Sequence, residues 1–107
     1  MLHVRKTLGE AVTREFNTEG ARHHCPPLLW LVTTAGQLTG STYSDTDAAD
    51  VPAALEKWAD LLSLAPVEHP ECAGTLEYQR TIDGWSVEVW GITDRAAFDH
   101  YVSEDAP

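Results

Sequence analysis

The stretch Thr75–Ile92, TLEYQRTIDGWSVEVWGI, constrains the fold more than any other part of the chain. Its midpoint is Asp83-Gly84, a dipeptide that favours the type I′ turn of a two-residue β-hairpin. In such a hairpin Ile82 faces Trp85, and pairing continues outward from that point. One face is then almost wholly apolar. A shift by one residue would turn that face toward water, so the pattern fixes the register.

The two faces of this predicted hairpin differ in character. The first face is formed by three further pairs of facing residues: Arg80 with Val87, Tyr78 with Val89, and Leu76 with Gly91. The second face is polar apart from one large aromatic side chain, and its residues are Glu77, Gln79, Thr81, Ser86, Glu88 and Trp90. An antiparallel sheet with one apolar and one polar face is typical of a sheet covered on one side only.

A second hairpin is predicted upstream. The run Leu28–Val32, LLWLV, is continuously apolar, which indicates a central strand covered on both faces. A turn follows over residues 33–36, with Gly36 in the left-handed conformation, and residues 37–43 form the return strand. In this register Gly40 faces Trp30, and the missing side chain leaves room for the indole.

Two of the predicted helices come from capping and periodicity. Thr7 and Glu10 match a capping box, and the helix that they open is expected to end at Gly20, which gives an N-terminal helix over residues 1–20. Asp50 is a candidate N-cap for the clearest amphipathic helix, whose apolar residues recur at three- and four-residue steps over residues 51–65.

A third helix completes the predicted order. Thr93 or Asp94 is expected to cap it, and an acidic tail over residues 103–107 is expected to fray. The sequence thus predicts a single α+β domain over residues 1–107 in the order α-ββ-α-ββ-α. The expected architecture is a four-stranded antiparallel sheet with helices packed on one face.

Charge and hydropathy exclude several kinds of partner. The 107 residues carry a formal net charge of −10, with 43% hydrophobic residues. Direct binding to a nucleic-acid backbone or to an anionic membrane is disfavoured, because contacts with phosphate need cations. No apolar run is long enough to span a membrane, and the N-terminus lacks the apolar core of a signal peptide. We therefore expect a cytoplasmic protein.

Two loops hold residues that could bind a metal. His23 and Cys25 precede the first hairpin, and His69 and Cys72 precede the second. If the two hairpins are neighbours, these four side chains could converge on zinc, which prefers four nitrogen or sulfur ligands in a tetrahedron. The spacing matches no zinc finger, so loop histidines and free cysteines are the competing interpretation. A disulfide between Cys25 and Cys72 would require their α-carbons to lie within about 7 Å of each other. A cytoplasmic setting also does not favour disulfides.

Trp90 is the best candidate for a binding residue, because it lies on the polar face opposite Glu77, with Glu88 and Gln79 beside it. A helix could cover it. Alternatively, it could anchor a partner, since interaction hot spots favour Trp in a polar surround. Glu77 and Glu88 would lie about 5.5–8 Å apart, which overlaps the spacing in two-carboxylate hydrolases, but glutamates on a solvated face are ordinary.

The sequence thus favours a small acidic, non-enzymatic interaction module that binds a protein partner or itself through the sheet face around Trp90. The last third, which contains GWSVEVWGITDRAAFDHY, resembles small proteins of high-GC actinobacteria and their phages. That resemblance implies an accessory protein and no activity. One alternative is a zinc-binding protein that uses the four loop residues named above. No other cofactor is expected. Another is an acidic mimic of DNA that inhibits a DNA-binding protein, although the acids are scattered along the chain.

Overall fold

The computed structural model describes residues 2–33, 35–70 and 72–105. These residues form three α-helices and a five-stranded sheet in the strand order β1-β2-β5-β4-β3. The helices are α1 Leu2–Arg22, α2 Val51–Leu62 and α3 Arg95–Asp105. The strands are β1 Leu29–Val32, β2 Gln37–Ser41, β3 Ala65–Pro66, β4 Thr75–Ile82 and β5 Trp85–Ile92.

The second hairpin has the predicted pairing. Strands β4 and β5 are antiparallel, with Ile82 opposite Trp85 and Leu76 opposite Gly91. Asp83 and Gly84 adopt φ angles of 50° and 83°, as the type I′ turn requires at both central positions. The local turn chemistry therefore determines this part of the fold.

The α+β class is confirmed, but the four-stranded antiparallel sheet is wrong in two respects. Strands β2 and β5 pair in parallel, with Gln37 opposite Ser86 and Ser41 opposite Trp90. A fifth strand, β3, pairs with β4 through Ala65 and Pro66. The parallel pair forms because the chain crosses over the sheet through α2 between the two hairpins, and this crossover has no local sequence signal.

The prediction that Leu28–Val32 is a central strand is also wrong. Strand β1 lies at an edge of the sheet and has one covered face. Trp30 is 1% exposed on that face, whereas Leu29 and Leu31 are 43% and 57% exposed on the other. The run is continuously apolar because the exposed face of this edge strand carries leucines as well.

Helix α1 closes the outer edge of β1. The Asn17 side chain accepts a hydrogen bond from the Leu28 amide at 2.9 Å and donates one to the Leu28 carbonyl at 2.8 Å. The Thr13 hydroxyl donates to the Trp30 carbonyl at 3.1 Å. These groups replace the hydrogen bonds that another strand would supply, so they satisfy a backbone edge that otherwise invites aggregation.

An aromatic cluster joins the two large helices to the sheet. The Trp30 ring lies 4.9 Å from the Phe16 ring and 5.1 Å from the Trp58 ring, centroid to centroid. The indole of Trp58 donates to the Pro26 carbonyl at 2.7 Å. Gly40 faces Trp30 as predicted, and a Cβ atom there would lie 2.8 Å from the indole.

Helix α1 extends past its predicted end at Gly20 to Arg22, and the predicted cap at Thr7 is not its start. It begins at Leu2, so Thr7 lies inside the helix rather than at its N-cap. Gly20 also lies inside the helix, where its missing side chain accommodates the Trp58 ring. A glycine that was interpreted as a helix stop is therefore a packing residue.

The ends of α2 also differ from the prediction. Asp50 is at the N-cap position as predicted, but its side chain makes no capping hydrogen bond. The Asp47 side chain caps a 3₁₀ turn over Ala48–Asp50 that leads into the helix. The helix ends at Leu62, where Ser63 adopts a left-handed φ of 56°. The residues after Ser63 are thereby free to form β3.

The third helix begins as predicted, since the Asp94 carboxylate accepts a hydrogen bond from the Ala97 amide at 3.1 Å. Its backbone is helical through Asp105, and the fraying of the tail stays a prediction. Ala106 and Pro107 of the predicted tail, and Thr34 of the predicted turn, lie outside the described residues.

Replacing Asn17 with Ala should destabilise the fold by about 2 kcal/mol, because the partly buried Leu28 amide and Trp30 indole lose their acceptor. Urea unfolding followed by circular dichroism measures this change. Thr18→Ala, at an exposed position on the same helix, is the control. Equal stability of the two variants would contradict the role assigned to Asn17.

Replacing Gly40 with Ala should cost about 1–3 kcal/mol, because the added methyl group meets the Trp30 ring at 2.8 Å. The same unfolding measurement applies. Thr39→Ala changes the neighbouring residue on the other face of β2 and should have a smaller effect. A Gly40→Ala variant as stable as the parent protein would show that the core can rearrange around the methyl group.

Candidate functional site

The two large helices, α1 and α2, cover only one face of the sheet. Helices α1 and α2 pack on the face that carries Trp30, Val87 and Val89, which are all buried. Alternate residues of the same strands form the opposite face, here called the open face. The strand register places Leu29, Ser41, Trp90 and Glu77 in one row across it.

A groove of about 510 Å³ lies on the open face. Its volume is within the usual range for sites that bind small molecules or a few side chains. Strands β2, β4 and β5 and the loop after β3 supply its walls. The described lining residues are Gln37, Val67, His69, Cys72, Thr75, Glu77, Gln79, Glu88 and Trp90.

All four residues predicted to form a binding surface line this groove. Trp90 is half-buried, and Glu77 lies directly opposite it on β4. Glu88 lies two residues before Trp90 on the same face and opposite Gln79. The Gln79 side chain donates a hydrogen bond to the Ser86 hydroxyl at 3.1 Å, which holds its amide over β5. The hairpin register alone brings these residues together.

Other residues of the groove were not predicted to belong to a binding site. Gln37 comes from β2, which is next to β5 only because of the parallel pairing. Val67 and Thr75 line the side nearer β3 and β4. The Thr75 hydroxyl donates to the Cys72 carbonyl at 2.7 Å and so holds the loop against β4. No sequence signal could identify these neighbours without the strand order.

The four residues considered for zinc fall into two places. His69 and Cys72 line the groove on the open face. Cys25 is buried in the core, and His23 is exposed just after α1. Both cysteines are free thiols. Within residues 2–33, 35–70 and 72–105, no group of three or more His, Cys, Asp or Glu is arranged to hold a metal ion.

The environment of Cys25 keeps its thiol protonated. Burial raises the pKa of this thiol, Lys57 lowers it by a smaller amount, and Asp60 raises it. A nucleophilic cysteine needs the opposite shift, because the thiolate is the reactive form. The arrangement therefore gives Cys25 a packing role.

A second cavity, of about 620 Å³, lies on the helix-covered side near the turn of the second hairpin. Its walls are almost entirely apolar and include Phe16, Leu62 and Trp85. The one charged residue among its described lining residues is Asp83, which belongs to the turn. This cavity has too few polar groups to orient a reacting substrate.

Comparison of the chain with protein-family models, curated proteins and solved structures found no match. Among the described residues, no helix has the length and apolar character needed to cross a membrane. The groove on the open face is therefore the feature from which a function can be inferred.

The buried thiol predicts a loss of stability at alkaline pH. The pKa of Cys25 is raised above its ordinary value of 9.0, so the unfolded chain loses this proton first as pH rises. The stabilising contribution is complete below about pH 9 and declines above it. Burial, then Glu56 and Asp60, raise the pKa of Tyr78 above 10.0, which adds the same trend at higher pH.

Urea unfolding at a series of pH values should therefore show a falling free energy of unfolding above about pH 9. For each variant, the free energy of unfolding at high pH is compared with the value for the same variant at neutral pH. This decline should be smaller in Cys25→Ala than in the parent protein, whereas in Cys72→Ala it should be unchanged. A thiol reagent should also modify Cys72 before Cys25 in the folded protein. Equal rates for the two thiols, with both fast, would contradict the packing role of Cys25.

Proposed function

We propose that this protein is a non-enzymatic interaction module that binds a protein partner through the open face around Trp90. The observation that carries the proposal is the position of Trp90, half-buried in a groove on a face that α1 and α2 do not cover. A rigid aromatic ring within a polar surround is the usual anchor of a protein interface.

The neighbouring surface supports a protein partner rather than a small substrate. Leu29 and Leu31 are exposed on the open face, two strands away from Trp90 and Glu88. The small residues Ser41 and Thr39 lie between them, so the surface extends from the groove to the edge at β1. Apolar side chains spread over several strands suit an extended contact.

The groove has little that favours catalysis. Its carboxylates Glu77 and Glu88 are half-buried, and Cys25, whose pKa is raised by burial, does not line the groove. The zinc hypothesis has no support in the arrangement of the described ligands. The DNA-mimic hypothesis stays a prediction, because no described contact bears on it.

The proposal predicts that Trp90→Ala weakens partner binding by about 2 kcal/mol, or about 30-fold. Candidate partners that bind the immobilised protein would be identified, purified and measured by calorimetry. Trp85→Ala is the matched control, since Trp85 is an exposed indole on the same strand but on the opposite face.

Circular dichroism must first show that both variants are folded. An unchanged dissociation constant for folded Trp90→Ala would contradict the proposed function. Light scattering of the protein alone tests the other occupant of the open face, a second copy of the chain. If the protein forms a stable dimer that Trp90→Ala dissociates, the open face serves self-association rather than binding of a foreign partner.

A further inference from the structure

The groove on the open face pairs an indole with carboxylates. Glu77 faces Trp90 across the hairpin, and Glu88 and Ile92 flank it on the same face of β5. Facing residues in an antiparallel pair have their Cβ atoms about 4.5–5.5 Å apart. Trp90 therefore has one glutamate opposite it on β4 and another beside it on β5.

This combination suits one kind of side chain. A guanidinium or ammonium group is attracted to the face of an indole, and Trp is the best aromatic partner for it. The same group forms charge-assisted hydrogen bonds with carboxylates, and the planar guanidinium of Arg can do both at once. No Lys or Arg is present among the described residues that line the groove. Arg80 of β4 points to the opposite face, where it pairs with Val87.

We propose that the groove binds a basic side chain, preferentially Arg, presented by the protein partner. This inference rests on the proposed function and specifies the chemistry of the partner. The Arg guanidinium would lie against the Trp90 ring and between the carboxylates of Glu77 and Glu88. Gln79 and Gln37 line the same groove and can accept further N–H groups through their side-chain carbonyls.

The charge of the chain argues against a second copy as the occupant. The net charge is −10, and the groove contributes two carboxylates to it. A two-fold dimer through this face would place the same patch on both sides of the interface. Glu77 and Glu88 would then approach their own copies, and such like-charge contacts are costly in a desolvated interface.

The rest of the open face adds a spacing requirement. Leu29 is separated from Trp90 by one strand, and Leu31 is separated from Glu88 in the same way. Neighbouring strands lie about 4.8 Å apart, so the leucines lie about 10 Å from the groove residues. The partner should therefore present an apolar side chain about 10 Å from its basic residue.

A synthetic peptide tests this chemistry without knowledge of the natural partner. The probe is a capped heptapeptide with Arg at its centre, Leu at both ends and Pro elsewhere. Proline favours the polyproline II helix, in which residues three apart lie on the same face at about 9 Å, so each Leu and the Arg can face the protein together. The control peptide has citrulline in place of Arg, which keeps the shape and removes the charge. Nuclear magnetic resonance of ¹⁵N-labelled protein follows the indole N–H of Trp90, assigned by its loss in Trp90→Phe.

The Arg peptide should shift the Trp90 indole signal and the amide signals of Ser41 and Thr39. Its affinity should fall as the salt concentration rises, because the pairing is partly electrostatic. The citrulline peptide should bind at least about tenfold more weakly. Equal binding of the two peptides, or shifts confined to residues outside the open face, would overturn the proposal.

Variants of the protein separate local recognition from net charge. Glu77→Gln with Glu88→Gln should weaken Arg-peptide binding about tenfold. Glu56→Gln with Asp60→Asn removes the same charge from the exposed side of α2 and should weaken it by about twofold or less. Equal effects of the two double variants would show that only the overall field attracts the peptide, which overturns the proposed site.

The same double variants distinguish this inference from the function on which it rests. A natural partner that loses affinity with Trp90→Ala but not with Glu77→Gln and Glu88→Gln would overturn the basic-residue assignment and leave the interaction module intact. A partner unaffected by Trp90→Ala would overturn both. Loss of affinity with both changes, together with binding of the Arg peptide, supports both proposals.

Discussion

The structure depends on one polar contact at the edge of the sheet. The Asn17 side chain both accepts from and donates to the backbone of Leu28, and its oxygen also accepts from the indole of Trp30 at 3.2 Å. A single amide thus substitutes for a neighbouring strand and orients one of the two largest buried side chains. Because these bonds hold α1 beside β1, Phe16 packs against Trp30 and the helix covers one face of the sheet only. Because α2 packs on the same side, the open face is left uncovered by both helices.

Both edges of the sheet are partly protected against the addition of another strand. Asn17 and Thr13 occupy the outer edge of β1. At the other edge, β3 has two residues and ends in Pro66, which cannot donate a backbone hydrogen bond. Short strands and proline are the usual devices that prevent edge-to-edge pairing. Recognition is therefore expected on the open face around Trp90, through side chains rather than by addition of a strand.

The features that could be predicted from the sequence are those that depend on neighbouring residues. The Asp83-Gly84 turn determined its own hairpin, and with it the approach of Glu77 to Trp90. The edge position of β1 could not be predicted, because its apolar run resembles a central strand. The interior position of Gly20 depends on a Trp58 ring that is distant in sequence. The remaining walls of the groove depend on the parallel pairing of β2 with β5, for which the chain carries no local signal.

That parallel pairing also has a consequence for how the chain reaches its native state. Each hairpin closes over a short loop and can form on the microsecond timescale. The junction between them unites residues that are far apart in sequence, such as Gln37 and Ser86, and it needs α2 in place. Loop-closure entropy makes such long-range contacts slow to form. We therefore expect the groove, whose walls come from both hairpins, to form after the hairpins themselves.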